Sequence, residues 1–166
     1  MSEFVHLTNK TEYSLSEGAL PIARIAELCQ SFTMPAVGIT DNNNMFGALE
    51  FSEQIAKVGV QPILGCNIKI KTPKEYLHEN IEDNDLHFYL NIFSKSDVGY
   101  ENLLKCVSNA YTLNKGNAYV KIDDLIKFKE GLIILSGGNN SILTHSTGHM
   151  ITKQSKQFVT DFKREF

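Results

Sequence analysis

An α/β fold with a largely parallel sheet, open or curling into a barrel, is what this sequence predicts. Short apolar runs of strand length alternate with longer segments whose apolar residues recur every three or four positions, and such alternation builds strand–helix–strand units. Polar clusters fall where the runs stop: Thr8–Lys10, Asp41–Asn44, Asn67, the residues after Phe93, and Gly137–Asn140. Folds of this class gather function at the carboxyl ends of their strands.

The elements follow in order. FVHL (residues 4–7) is a short strand, with His6 a structural residue between Val5 and Leu7. In the polar loop after it, Ser14 and Glu17 have the spacing of a capping box. PIARIAELCQSF is a helix with Ile22, Ile25, Ala26, Cys29 and Phe32 on one stripe, and Pro21 sits near its first turn, where a missing amide costs little. PAVGIT (35–40) is a buried strand. A second helix carries Met45, Ala48, Leu49, Ile55 and Ala56, with Asn42 and Asn44 placed to cap it and Gly59 to stop it.

QPILGCNIKIK (61–71) is the third strand, and TPKEYLHENIEDND (72–85) is a polar, acidic surface excursion. LHFYLNIF (86–93) is the fourth strand, followed by a helix bearing Tyr100, Leu103, Leu104, Val107 and Tyr111. Asp123 and Asp124 mark a helix start or a surface feature. GLIILSGG (131–138) is the fifth strand, and a last helix presents Ile151, Ser155, Phe158, Val159, Phe162 and Phe166. Five strands are too few to close a β/α barrel, so the chain reads as stopping inside a larger domain.

Composition bounds the function. The 166 residues suit one domain able to bury roughly 70% of its unfolded surface. A net charge of −3 argues against a strongly basic nucleic-acid surface in this segment. Cys29, Cys66 and Cys106 are widely spaced in apolar contexts and read as buried reduced thiols. No signal-like leader and no apolar run of about 20 residues is present, and the setting reads as cytoplasmic. Nucleophile elbows and paired Cys–His sites are missing. The glycines of SGGNN are weak as a phosphate cradle, and His145 and His149 sit in a loop-like stretch unsuited to a metal.

The blocks FVHLTNKTEYSLSEGA, MPAVGITDNNNMFGALEF, GVQPILGCNIKI, GYENLLKCVSNAY and GLIILSGG resemble, in order and spacing, the N-terminal PHP (polymerase and histidinol phosphatase) domain of bacterial replicative DNA polymerase III α subunits. The resemblance covers about residues 4–138, whereas 139–166 match only in being helical. It implies a distorted β/α barrel of PHP type, incomplete in this chain, with residues 1–166 forming the N-terminal portion of the domain.

Metal-keeping members of that family carry His-x-His where this chain has Thr8 and Lys10. Glu17 keeps the acidic position of the following loop. Ile-Thr-Asp-His has become Ile39-Thr40-Asp41-Asn42, Gly-Cys-Glu has become Gly65-Cys66-Asn67, and Leu-Ser-Gly-Cys reads Leu135-Ser136-Gly137-Gly138. His87 matches a histidine opening the next strand. Zinc or manganese sites need several imidazole or carboxylate donors around an open position, and an ammonium has no lone pair to offer. The site is therefore expected to be degenerate at Thr8, Lys10, Glu17, Asn42, Asn67 and His87, with no catalytic residue and no metal. Glu17 and His87 have bland readings as a helix cap and a hydrogen-bonded strand histidine. Lys10 is expected to replace the metals electrostatically by pairing with Glu17 or Asp41, against the plain alternative that it points to water.

By the same resemblance the parent chain is a DNA-directed DNA polymerase using magnesium in a later domain. Its partners are the rest of the α chain, the proofreading exonuclease subunit and, through the polymerase, DNA, with no membrane. This segment would be a noncatalytic scaffold and docking surface. The competing readings are an active metal-dependent phosphoesterase or intrinsic 3′–5′ exonuclease, and a free-standing binding protein derived from a polymerase fragment.

Overall fold

Four strands, β1 (Ala36–Asn42), β2 (Gln61–Lys71), β3 (His87–Ser94) and β4 (Leu132–Leu135), hydrogen-bond side by side in that order. The computed structural model describes residues 4–73, 87–114, 117–136, 138 and 153–166, without the side chains of 154 and 155. Around the sheet lie α1 (Ile22–Ser31), α2 (Ala48–Lys57), α3 (Asp97–Thr112), α4 (Ile122–Lys127) and α5 (Lys153–Glu165).

The sheet is mixed, which corrects the expectation of a largely parallel one. β1 and β2 are parallel, whereas β2–β3 and β3–β4 are antiparallel. A parallel pair needs a crossover, usually a helix that packs back on the sheet. Helix α2 supplies it between β1 and β2, whereas residues 74–86, which join β2 to β3, lie outside the described residues. Between β3 and β4 the chain passes through α3, an extended stretch in which Val120 pairs with Ile70, and α4.

Residues 4–7 do not form a regular strand. His6 makes one parallel bridge to Val37, and backbone bonds run from Gly38 N to His6 O and from Thr40 N to Asn9 O, both 2.8 Å. The Asn9 amide donates to the carbonyls of His6 and Gly38 and so takes acceptors that a regular ladder would use.

Two apolar clusters hold the sheet. Ile22, Ile25 and Cys29 of α1 pack with Phe51 and Ile55 of α2 and with Val37 and Ile39 of β1. Ile68, Ile70, Phe88, Leu90 and Ile92 pack with Leu103 and Cys106 of α3, Leu125 of α4 and Phe158 of α5. All three cysteines are free and buried. The α5 stripe seats Phe158 against Phe88, ring centres 5.6 Å apart, while Phe162 stacks toward Phe166 at 4.6 Å. Ile151 and His145–His149 lie outside the described residues.

Helix starts depart from the expected caps. Ser14 and Glu17 lie in turns, and the Ser14 carbonyl accepts from the amides of Glu17 and Gly18. Asn44 caps no helix: its amide donates to the carbonyls of Tyr13 and Asn42, while its oxygen accepts from Phe46 N. Helix α2 begins later, after Gly47, without a side-chain cap. Gly59, at φ +77°, ends it as expected. The strand expected over 131–138 is regular only from Leu132 to Leu135.

Candidate functional site

Strand register makes the site. On β1 the period of two puts Thr40 and Asn42 on one face, and cross-strand pairing aligns Asn42 with Asn67 and Asn67 with Asn91. Three asparagines thus form a row across β1, β2 and β3. Above that row a pocket of about 280 Å³ is closed by Thr8, Lys10 and Glu17 from the N-terminal loop, by Thr40 and Tyr89, and by Gly138.

Five of the six positions expected from the sequence therefore converge: Thr8, Lys10, Glu17, Asn42 and Asn67. His87 does not join them. It pairs with Lys71, four residues and about 13 Å along β3 from Asn91, and its ring lies 5.4 Å from that of Tyr119. Thr40, Tyr89 and Asn91 also line the pocket and were not expected to. Thr40 is reachable from sequence by stepping back two residues from Asn42. The signal for Asn91 is a lone amide inside the apolar run LHFYLNIF.

The charges are arranged around Lys10. Its ammonium donates to Glu17 Oε2 at 2.6 Å and to Asn42 Oδ1 at 2.5 Å. Hydrogen bonding of the Glu17 carboxylate, by Lys10 foremost and by the Asn42 side chain next, holds that carboxyl below the ordinary value of 4.5. Burial pushes the Tyr89 hydroxyl up, with the Glu17 charge adding to it. The Asn67 amide donates to Asn91 Oδ1 at 2.6 Å.

Of the two partners expected for Lys10 it meets Glu17, and Asp41 has other partners. It points to the opposite face of β1 from Asn42 and is buried. Its Oδ1 accepts from Thr11 N and Ser14 Oγ, and its Oδ2 from Thr11 Oγ1, at 2.5–2.7 Å. Ser14 Oγ in turn accepts from Asn42 N. Asp41 thereby pins the loop that carries Lys10 and Glu17, with its charge spread over three donors.

Among the described residues that line the pocket, a cation would meet one carboxylate, neutral amides and hydroxyls, and an ammonium already lodged between Glu17 and Asn42, a donor set that does not suit zinc or manganese. Among the described residues no group of three or more His, Cys, Asp or Glu side chains is placed to hold one.

The chain matches the PHP domain over residues 6–166. It belongs to the PHP domain family. This PHP domain is similar to the DNA polymerase III subunit alpha of Rickettsia felis, at 38% identity over 135 residues, 80% of this chain and 10% of that relative. It is similar to the same subunit of Borreliella burgdorferi at 33% identity, covering 81% of this chain and 12% of the relative. In Treponema pallidum the identity is 30% over 166 residues, 98% of this chain and 14% of the relative. The chain thus spans between a tenth and a seventh of the length of these relatives, and it is a PHP domain of the kind their α subunits carry. Among the described residues no helix is long and apolar enough to cross a membrane.

Proposed function

We propose that this is a metal-free, noncatalytic PHP domain of a replicative DNA polymerase III α chain. It serves as scaffold for the rest of that chain and as docking surface for the proofreading exonuclease subunit. The parent would extend DNA in the cytoplasm, with magnesium held by carboxylates of a later domain.

One observation carries the noncatalytic part: the Lys10 ammonium sits in the pocket between Glu17 and Asn42. Hydrolysis of a phosphoester by this fold would require a cation-stabilised water and a general base. Among the described residues the pocket offers one carboxylate, Glu17, and Lys10 is paired with it. Similarity to polymerase α subunits supports the scaffold part.

Elemental analysis of the purified protein is the test, alongside assays on a phosphomonoester and on single-stranded DNA ends. No stoichiometric zinc or manganese and no metal-dependent turnover are expected. Two or three metals per chain would overturn the reading. Co-migration with the exonuclease subunit tests the docking role, and failure to associate would remove it.

A further inference from the structure

We propose that the open edge of β4 docks a further β-strand, parallel to β4 and supplied by the polypeptide that follows α5 in the parent α chain. The inference rests on the scaffold reading and names the surface on which this domain takes up its neighbouring segment.

Direction and facing carry it. β1 and β2 run together, and the two antiparallel pairings that follow turn β4 back to the direction of β1. Helix α5 runs the opposite way. Its Phe158 packs on Phe88, at the start of β3. At its other end the Glu165 carbonyl accepts from the Lys129 ammonium at 2.5 Å, just ahead of β4. Pairing of Ile39 with Leu64 and of Asp41 with Cys66 puts the residues under α2 and those under α5 on one face of the sheet. β4 and α5 thus repeat the first two parts of the β1–α2–β2 unit. Such crossovers are almost always right-handed, so the same direction on the same face gives the same sideways step. From β1 that step leads to β2. From β4 it leads away from β3, onto the open edge.

The edge itself selects an apolar strand. Among the described residues β4 pairs with β3 alone, and its sequence LIIL holds no proline, glycine or charge of the kind that blunts natural edges. On the helix side, Leu132, Ile134, Phe162 and Phe166 line a cleft of about 610 Å³ between β4 and the last turns of α5. On the other side Ile133 and Leu135 stand exposed, level with Phe93 and Asn91. Alternate residues of an added strand would fill the cleft, and the rest would cover Ile133 and Leu135. The polymerase α subunits similar to this chain have the length to supply one, since the chain spans 10% and 14% of two of them.

The test compares this chain with the native polypeptide lengthened by roughly 20 residues, enough for a loop and one strand. In the longer chain the amides of Leu132–Leu135 that point away from β3 are expected to exchange at least about a hundredfold more slowly, with NMR contacts to a parallel neighbour. Concentration-dependent self-association should fall at the same time, because the edge is filled. If the longer chain proves insoluble, the same residues added as a synthetic peptide should shift those amides saturably. Unchanged exchange, an antiparallel neighbour, or a peptide without effect would overturn the proposal. So would undiminished self-association of the longer chain, which gives the edge to a second copy. Each of these results leaves the scaffold reading standing, with docking on another surface. A native reading frame with nothing after Phe166 would remove both.

Discussion

Lys10 and Glu17, seven residues apart on one loop, meet at 2.6 Å over the mouth of the pocket, their side chains 31% and 57% exposed. The pair is half in water, which sets its worth. Exposed ion pairs contribute roughly 0–1 kcal/mol, far below the cost of stripping a partner from a buried one. Lys10→Met is therefore expected to lose no more than about 1 kcal/mol in urea unfolding. A loss of several kcal/mol would show that Lys10 compensates a buried charge.

Asp41 should behave in the opposite way. Its carboxylate is buried and receives three hydrogen bonds that hold the 11–14 loop. Hydrogen bonds to a charged group contribute about 1.5–3 kcal/mol each, so Asp41→Ala is expected to lose at least about 3 kcal/mol. Equal losses in Asp41→Ala and Lys10→Met would contradict this division of roles.

The pH dependence follows from Glu17. Its folded-state pKa lies below the ordinary 4.5 because Lys10 and Asn42 bond the charged form. A carboxylate so depressed stabilises the fold above its unfolded pKa, and the contribution is lost as pH falls through the folded value. Glu17→Gln should thus be slightly less stable than the parent at pH 7, with the gap closing as pH falls through the folded-state pKa of Glu17 and shrinking in high salt. A gap that does not change across the acid titration of Glu17 would point to packing rather than charge.

Gly18 is the tightest point of the loop. A Cβ there would stand 1.6 Å from the Thr11 carbonyl oxygen, so Gly18→Ala must push the backbone apart. Overpacking of that kind costs roughly 1–3 kcal/mol. Because Thr11 also holds Asp41, the change should displace Glu17 from Lys10 as well, read as a rise of the Glu17 pKa by NMR. Normal stability and an unmoved pKa would show that the loop has slack.

Among the described residues strand β4 pairs with β3 alone in the sheet, and its Ile133 and Leu135 are 46% and 38% exposed. Open apolar edges invite strand-to-strand association. Ile133→Lys is expected to reduce concentration-dependent self-association in sedimentation while changing stability by no more than about 0.5 kcal/mol. Undiminished association would place the sticky surface elsewhere.

Much of the scaffold is legible without coordinates, because local patterns encode it. The stripe Ile22–Ile25–Ala26–Cys29 can bury only as a helix, and QPILGCNIKIK is a strand over the same residues in the structure. Five of the six positions taken from the family blocks meet in one pocket, since matching blocks place matching strand ends. His87 is the exception: its motif position is near the site in sequence, but a rise of about 3.4 Å per residue carries it away along β3.

What the linear chain leaves open is everything that depends on register and facing. The antiparallel course of β3 and β4 is not encoded in periodicity, since the connection between them carries the packed helix α3 and the pair is still antiparallel. The choice of Glu17 over Asp41 as partner of Lys10 follows from the pleat. Neighbouring residues of β1 point to opposite faces, so Asn42 looks into the pocket while Asp41 lies beneath the loop. Asn91 enters the site only because β3 aligns it with Asn67. Residue types and their periods determine the elements and the kinds of donor each position can supply. Cross-strand pairing, which joins residues dozens of positions apart, decides which of the remaining polar groups face one another.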